Sequence, residues 1–159
     1  MNWIFRAAQP ADANRIAELV NYAFQVERAF KNGDRTTAAE IARMLGNGKF
    51  VLMERDGVAG ACVYVEQRVD HAYIGMLSVA PELQGTGVGS QLLAEVENEC
   101  RGAGYKALDL RFVHLRTDLR AYYLKRGFVE TGIESAASVG ASMTAFTVPV
   151  HFIAMSKNL

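Results

Sequence analysis

The 159-residue chain has few cysteines, no excess of either charge and no long apolar run. Its 17 Lys and Arg balance its 17 Asp and Glu, so no global positive field would attract nucleic acid or an anionic membrane. Cys62 and Cys100, its two cysteines, are too few for a disulfide framework and do not stand at metal-ligand spacings. No segment reaches the ~18 apolar residues of a membrane span. We therefore expect one domain over residues 1–159, cytoplasmic, with no metal and no nucleic acid or membrane partner.

Glycine is concentrated in one segment, where residues 84–89 read Gln-Gly-Thr-Gly-Val-Gly. The apolar residues 73–79 before it predict a strand, and a helical apolar pattern begins at Val88. A helix N-terminus gathers unpaired N–H groups, which together with the positive end of the helix dipole attract an anion. The segment therefore predicts a phosphate-binding loop, and an ordinary glycine-rich turn is the alternative.

Three phosphate-binding patterns compete for this loop. A Walker A loop needs Gly-Lys-Ser/Thr, which the chain lacks. A dinucleotide fingerprint fits poorly, because Ser90 or Leu92 stands at its third glycine position and Asp109 falls inside a later predicted strand. The third pattern, Q/R-x-x-G-x-G/A, is met in full by residues 84–89. With the preceding Leu-Ser-Val-x-Pro, this segment resembles the acyl-coenzyme A pyrophosphate loop of the GNAT superfamily of N-acetyltransferases.

A second segment, residues 121–128, strengthens the resemblance. It reads Ala-Tyr-Tyr-Leu-Lys-Arg-Gly-Phe and is similar to another GNAT signature, a short helix of the form fY-x-x-x-G-F. Gly127 suits the position just after a helix end, and Lys125 and Arg126 suit the negative end of the helix dipole. The two signatures occur in the order typical of the family, with one predicted strand between them.

The rest of the chain predicts a meander followed by alternating helices and strands. Asp12 is expected to cap the first helix, and Thr37 with Glu40 predicts a capping box for a second helix that ends near Gly46. Strands are expected at residues 3–7, 50–54, 58–66, 73–79, 107–113 and 149–155. We expect an α/β (α+β) fold with a mixed, mostly antiparallel sheet flanked by helices. The resemblance adds a splayed strand pair that holds the cofactor.

The resemblance implies that acetyl-coenzyme A is the co-substrate. Its pantetheine arm would lie where the strand before the loop splays from the next strand, and would pair with the exposed backbone. One amide N–H of that strand would polarise the thioester carbonyl. The residues implied to bind the cofactor are Leu77, Ser78, Val79, Gln84, Gly85, Thr86, Gly87, Val88, Gly89 and Ser90.

Tyr123 stands where the family places its general acid, four residues before Gly127. A phenol, with a pKa near ~10, can protonate a departing thiolate whose conjugate acid has a pKa near ~8.5. Packing in the core is the alternative role for Tyr123. Tyr122 faces another side of the short helix, and we expect it to pack.

The sequence departs from the family pattern at two positions. Arg116 stands where many members have an Asn that holds pantetheine, so it is expected either to reach a phosphate or to be a solvated charge. Tyr73 stands where many members have Glu, and a phenol is a poor base near neutral pH. The candidate general bases are Glu66 and His71, with Asp70 and His114 as further candidates.

The resemblance places the acceptor amine against the first two helices and the loop between them. Asp34 and Glu27 could hold a cationic amine, and Arg28 and Arg35 could hold a carboxylate. Tyr22, Phe24 and Phe30 complete this set. We expect acetyl transfer from acetyl-coenzyme A to an amine of a small molecule or peptide, by direct attack in a ternary complex, in a monomer or homodimer. The alternative is a non-catalytic acyl-coenzyme A-binding sensor module.

Overall fold

A computed structural model describes residues 2–140 and 145–159 as a seven-stranded sheet with four α-helices. The strands are β1 (Ile4–Ala7), β2 (Lys49–Arg55), β3 (Val58–Arg68), β4 (His71–Val79), β5 (Ala107–Val113), β6 (Val129–Ser135) and β7 (His151–Asn158). The helices are α1 (Ala13–Ala23), α2 (Ala38–Leu45), α3 (Val88–Gly102) and α4 (Thr117–Lys125). The strand order is β1-β2-β3-β4-β5-β7-β6. Only the β4–β5 pair is parallel, so the expected mixed, mostly antiparallel sheet flanked by helices is confirmed.

Alternating side chains of the strands build a separate apolar layer on each face of the sheet. On one face, Phe50, Leu52 and Cys62 pack with buried residues of α1 and α2. On the other face, Val51 and Val63 pack with the apolar side of α3 and with α4. The sheet therefore separates two helical layers, and side chains from both layers border the space between β4 and β5.

The one parallel pair, β4 with β5, is short. It joins residues 71–73 to residues 107–109, and beyond that point both strands continue without pairing to each other. Strand β4 then runs to Val79 beside β3, whereas β5 continues beside β7. A V-shaped gap thus opens in the middle of the sheet, as the resemblance implied.

Several local predictions are corrected by the structure. Strand β6 is not predicted by the sequence pattern, because it is an exposed strand of mixed polarity without a buried apolar face. The last strand starts at His151 rather than at residue 149 and inserts between β5 and β6. The side chain of Asp12 does not cap α1, because its carboxylate accepts hydrogen bonds from the Gln9 amide and from Arg6.

The capping box of α2 forms only in half. The Thr37 hydroxyl accepts from the Glu40 amide at 3.1 Å, but the Glu40 carboxylate accepts from the Thr36 hydroxyl instead of the Thr37 amide. Across residues 2–140 and 145–159, no helix is long and apolar enough to cross a bilayer. The same residues contain no cluster of three His, Cys, Asp or Glu side chains suited to a metal ion.

Candidate active site

The glycine-rich loop ends in a left-handed turn that opens the N-terminus of α3. Gly87 immediately precedes the helix at φ +88°, a conformation that side-chain-bearing residues rarely adopt. The first helical hydrogen bond runs from the Gln91 amide to the Gly87 carbonyl at 3.0 Å. The amides of residues 88–90 therefore have no acceptor within the helix, at the positive end of its dipole, and no acidic side chain lies in the first turn. This end of α3 is suited to an anion.

A cation from another helix lies at the same place. The Arg126 guanidinium donates to the Ser90 hydroxyl in the first turn of α3, with 2.9 Å from Nε, and to the Tyr122 carbonyl. It stacks on the Tyr122 ring, 3.4 Å from the ring centroid. A cation at the positive end of a helix is unfavourable unless an anion joins them. The sequence pattern places Arg126 only at the end of α4, because nothing in the sequence joins it to Ser90.

Tyr122 also lies against the loop rather than only in the core. A Cβ on Gly89 would come within 3.1 Å of both the Tyr122 hydroxyl and Val79, so glycine allows this close approach. The Tyr122 hydroxyl lies 3.5 Å from the Ser90 hydroxyl. The expectation that Tyr122 packs therefore holds only in part: its ring supports Arg126 and contacts the loop.

Strand β4 carries a bulge where it borders the gap. Its register with β3 shifts between the pairs Cys62–Ser78 and Tyr64–Gly75, and Met76 adopts φ +52°. The buried Ser78 hydroxyl donates to the Met76 carbonyl at 2.9 Å, which supports the bulge. At the end of the strand, the Gln84 side-chain amide donates to the Val79 carbonyl at 3.2 Å and ties the loop to β4.

The gap between β4 and β5 opens into a cavity of about 580 Å³. Leu77 lines it from β4, Leu110 and Phe112 line it from β5, and Tyr123 lines it from α4. The Tyr123 ring is buried, stacks near Phe112 with 6.1 Å between centroids, and meets Phe128 edge-on at 5.4 Å. Burial raises the pKa of Tyr123 above that of a free phenol, so it carries its proton near neutral pH.

Of the candidate bases, Glu66 lines this cavity. It pairs across the strands with Tyr73, the position where the family pattern has Glu. Its carboxylate accepts from the Tyr64 hydroxyl at 2.9 Å and from Arg68 Nε at 3.3 Å. Burial and this hydrogen bond to Glu66 raise the pKa of Tyr64, which therefore remains a proton donor to the carboxylate.

The other candidates lie in polar clusters away from Glu66, and His71 Nε2 is 3.8 Å from the Asp70 carboxylate. His71 Nδ1 is 2.8 Å from Asp109, whose other carboxylate oxygen accepts from Ser156 at 2.7 Å. The Lys106 ammonium lies 3.2 Å from Asp70, whose pKa it lowers. His114 stacks on His151 with 3.9 Å between ring centroids and accepts from the His151 amide at 3.2 Å. The structure therefore does not bring these groups together with Glu66.

Arg116 is neither a phosphate ligand on the surface nor a solvated charge. Its guanidinium is buried and donates to Glu27 at 2.8 Å and to Asp118 with two bonds of 3.0 Å. Glu27 belongs to a 3₁₀ segment, Phe24–Ala29, that follows α1. The pair therefore joins the start of α4 to the wall on which the acceptor was expected.

That wall supplies both charges to the cavity, but the carboxylates have partners. Of the residues expected there, Phe24, Glu27, Asp34 and Arg35 line the cavity. Glu27 is bound by Arg116, and Asp34 pairs with Arg28 at 2.6 Å. The cavity is also lined by Lys31, whose pKa is lowered mainly by burial. Neither Lys31 nor Arg35 forms an ion pair with any residue in the described part of the chain.

Comparison with known proteins assigns the family. Residues 14–128 match the family model described as "Acetyltransferase (GNAT) family". The chain belongs to the GNAT family of acetyltransferases. This confirms the resemblance drawn from residues 84–89 and 121–128, and the family is one of acyltransferases.

This GNAT chain is also similar to one curated protein in sequence and to two solved structures in fold. An amino-acid acetyltransferase of Ralstonia nicotianae is 38% identical over 87 residues, which cover 54% of this chain. The match spans only 18% of that relative's length. Ard1 of Thermoplasma volcanium has the same fold, with a TM-score of 0.81, 17% identity, and coverage of 100% of this chain and 99% of its own. A GNAT acetyltransferase of Elizabethkingia anophelis, solved with acetyl-CoA bound, has a TM-score of 0.72, 18% identity and 99% coverage of both chains.

Proposed function

We propose that this GNAT chain transfers an acetyl group from acetyl-coenzyme A to an amine by direct attack in a ternary complex. The observation that carries the proposal is the gap between β4 and β5. The gap opens beyond Tyr73 and contains the cavity lined by Tyr123, and its β4 edge leads on to the glycine-rich loop. A cofactor with phosphates at one end and a thioester at the other fits this path.

The loop and its neighbours supply the binding groups for the cofactor. The amides at the start of α3 would receive the pyrophosphate, and Arg126 would add a positive charge that balances the phosphates. Residues 77–79 of β4 face the gap without a partner from β5, so their backbone is available to the pantetheine arm. When bound, acetyl-coenzyme A supplies the acetyl group and a thiolate leaving group.

The transfer needs one proton donor and one proton acceptor. The amine nitrogen would form a bond to the acetyl carbon as the carbon–sulfur bond breaks, and Tyr123 would give its proton to the departing sulfur and regain one from solvent. The attacking nitrogen loses its own proton to a base, for which we propose Glu66. Glu66 lies directly across from Tyr73, so β3 supplies the carboxylate that β4 lacks. Both groups line the same cavity.

We propose that the acceptor carries a carboxylate beside its amine. Lys31 and Arg35 reach the cavity without carboxylate partners among residues 2–140 and 145–159, so an acceptor carboxylate would complete them. The Ralstonia relative is named for an amino-acid acceptor, which agrees with this chemistry.

We also propose a cytoplasmic location, where the two buried, unpaired cysteines would remain reduced.

Calorimetry and a turnover assay test the proposal together. We expect acetyl-coenzyme A to bind and NAD not to bind, and we expect thiol release with at least one acceptor in a panel of amino acids, polyamines and peptides. Glu66→Gln should lower kcat roughly a hundredfold or more near neutral pH, because a positioned base contributes on that scale. Glu18→Gln, on the exposed side of α1, is the matched control.

Two results would contradict this function. Binding of NAD alone would return the loop to the dinucleotide class. Tight binding of acetyl-coenzyme A with no turnover on any amine would favour the sensor module. Wild-type kcat in Glu66→Gln, with chemistry limiting the rate, would remove Glu66 as the base and leave the cofactor site unchanged.

A further inference from the structure

A backbone bridge crosses the acceptor side of the cavity. Residues 30–32, just after the 3₁₀ segment, meet residues 145–147, which lie between β6 and β7. The Asn32 amide donates to the Ala145 carbonyl at 2.7 Å, and the Thr147 amide donates to the Phe30 carbonyl at 2.9 Å. We call residues 30–32 and 145–147 the bridge.

Side chains strengthen the bridge. The Lys31 ammonium lies 5.6 Å from the Phe146 ring centroid, and the Phe146 ring meets Phe152 of β7 edge-on at 6.4 Å. A half-buried cation over an aromatic ring adds to the two backbone hydrogen bonds. The bridge is therefore fixed to the sheet at one end and to the acceptor wall at the other.

Both halves of the bridge line the same cavity as Tyr123 and Glu66. Lys31 and Asn32 line it from one side, and Ala145 and Phe146 line it from the other. Residues 30–32 and residues 145–147 are thus joined to each other, so these two described segments do not form the sides of an open groove. An extended polypeptide that ran between these walls would have to break both hydrogen bonds.

We propose that the bridge restricts the acceptor to a free small amine and excludes the N-terminus of a polypeptide. This inference rests on the proposed acetyl transfer. Of the two expected acceptor classes, small molecules and peptides, it keeps only small molecules. A free amino acid ends within the cavity, where Lys31 can meet its carboxylate. In a peptide that carboxylate is replaced by an amide and a continuing chain, which meets the bridge.

The test compares each free amino acid with a tetrapeptide amide that begins with the same residue. We expect thiol release with at least one free amino acid, at a kcat/KM about a hundredfold or more above that of its tetrapeptide. The tetrapeptide has an amide in place of the carboxylate and also meets the steric barrier of the bridge, and both differences should lower its kcat/KM.

Thr147→Pro removes the donor of one bridge hydrogen bond, and Phe146→Ala keeps the backbone while it removes the ring under Lys31. Both variants should lower the preference for the free amino acid at least tenfold. Val148→Ala, an exposed neighbour in the same segment, is the control.

Amide hydrogen exchange gives a readout that needs no turnover. The Asn32 and Thr147 amides should be protected in the protein alone, and Thr147 protection should fall in Phe146→Ala. Rapid exchange of both amides, or a wild-type enzyme that turns over tetrapeptides as well as free amino acids, would overturn the inference. Absence of acetyl-coenzyme A binding would instead count against the proposed function, and the exchange measurement would still judge the bridge.

Discussion

At the scale of single residues, the proposed chemistry depends on a phenol that is protonated near neutral pH. Tyr123 lies in an apolar environment between Phe112 and Phe128, and burial raises its pKa. A phenol with a raised pKa is fully protonated at neutral pH, so the proton that the departing thiolate would take is present. It should therefore cause no alkaline loss of kcat below about pH 10, the ordinary pKa of tyrosine.

Tyr123→Phe should lower kcat by roughly tenfold to several thousandfold, the range for a positioned general acid. The ring is kept, so packing and acetyl-coenzyme A affinity should change little. Steady-state kinetics at saturating cofactor measure kcat, and calorimetry measures affinity. An equal fall in kcat and kcat/KM would indicate a loss confined to the transition state.

Two other tyrosines serve as controls for this prediction. Tyr105→Phe changes a half-buried phenol that packs against the same core but does not line the cavity. Tyr122→Phe removes a hydroxyl 3.5 Å from Ser90, so any change should appear in cofactor affinity rather than in kcat. Unchanged turnover in Tyr123→Phe, measured where chemistry is slow, would make Tyr123 a packing residue.

At the scale of elements, the cofactor site is the junction of β4, the loop and α3. The bulge at Met76 turns β4 towards the gap, and the left-handed Gly87 turns the chain into α3. Both features require backbone conformations that are rare for most residues. The junction would therefore bind the cofactor mainly through backbone groups. Substitutions there should affect cofactor binding more than the fold.

Gly87→Glu should reduce acetyl-coenzyme A affinity roughly a hundredfold, or about 2.7 kcal/mol. The new side chain adds strain at a positive φ and places a negative charge where the pyrophosphate would lie. Gly104→Glu is the matched control. Gly104 has φ +89° and open space around it, but it lies beyond the opposite end of α3. Calorimetry on both variants, with circular dichroism to confirm folding, checks the prediction. Equal losses in the two variants would point to strain alone and remove the anion site.

At the scale of the whole molecule, one charged cluster joins β1, β2 and α1. Arg6 donates to Asp12 with two bonds of 2.9 Å and to the buried Glu54, and Arg15 donates to Glu54 at 2.7 Å. The hydrogen bonds from Arg6 lower the pKa of Asp12 to about 2 and lower that of Glu54. A carboxyl whose pKa is lower in the folded state adds stability above its unfolded pKa and loses it as the pH falls.

The free energy of unfolding should therefore fall between about pH 5 and pH 2, as these carboxyls become protonated. Asp12→Asn should cost about 1–3 kcal/mol at pH 6, since it weakens a buried charged hydrogen-bond pair. It should also reduce the loss of stability between pH 6 and pH 3. Urea denaturation at the two pH values measures both effects. Asp34→Asn, in an exposed pair with Arg28, should change neither by more than about 0.5 kcal/mol. A pH dependence unchanged by Asp12→Asn would show that other carboxyls dominate acid unfolding.

Features that depend on neighbours along the chain could be predicted from the amino-acid sequence alone. Gly87 before α3, Tyr123 in a helix that ends before Gly127, and the strand over Ala107–Val113 were all predictable, because turns, caps and apolar periods are read within a few residues. The meander of β2, β3 and β4 was predictable for the same reason, since short turns join consecutive strands.

Contacts between residues far apart along the chain became evident only from the folded structure. Arg116 pairs with Glu27, 89 positions away, and Arg126 reaches Ser90, 36 positions away. Glu66 lies across from Tyr73 because of the β3–β4 register, and the bridge joins residues more than a hundred positions apart. Such contacts follow from strand register, the bulge and the insertion of β7 beside β5. Each of these depends on the packing of the whole sheet, and no local pattern in the chain encodes it.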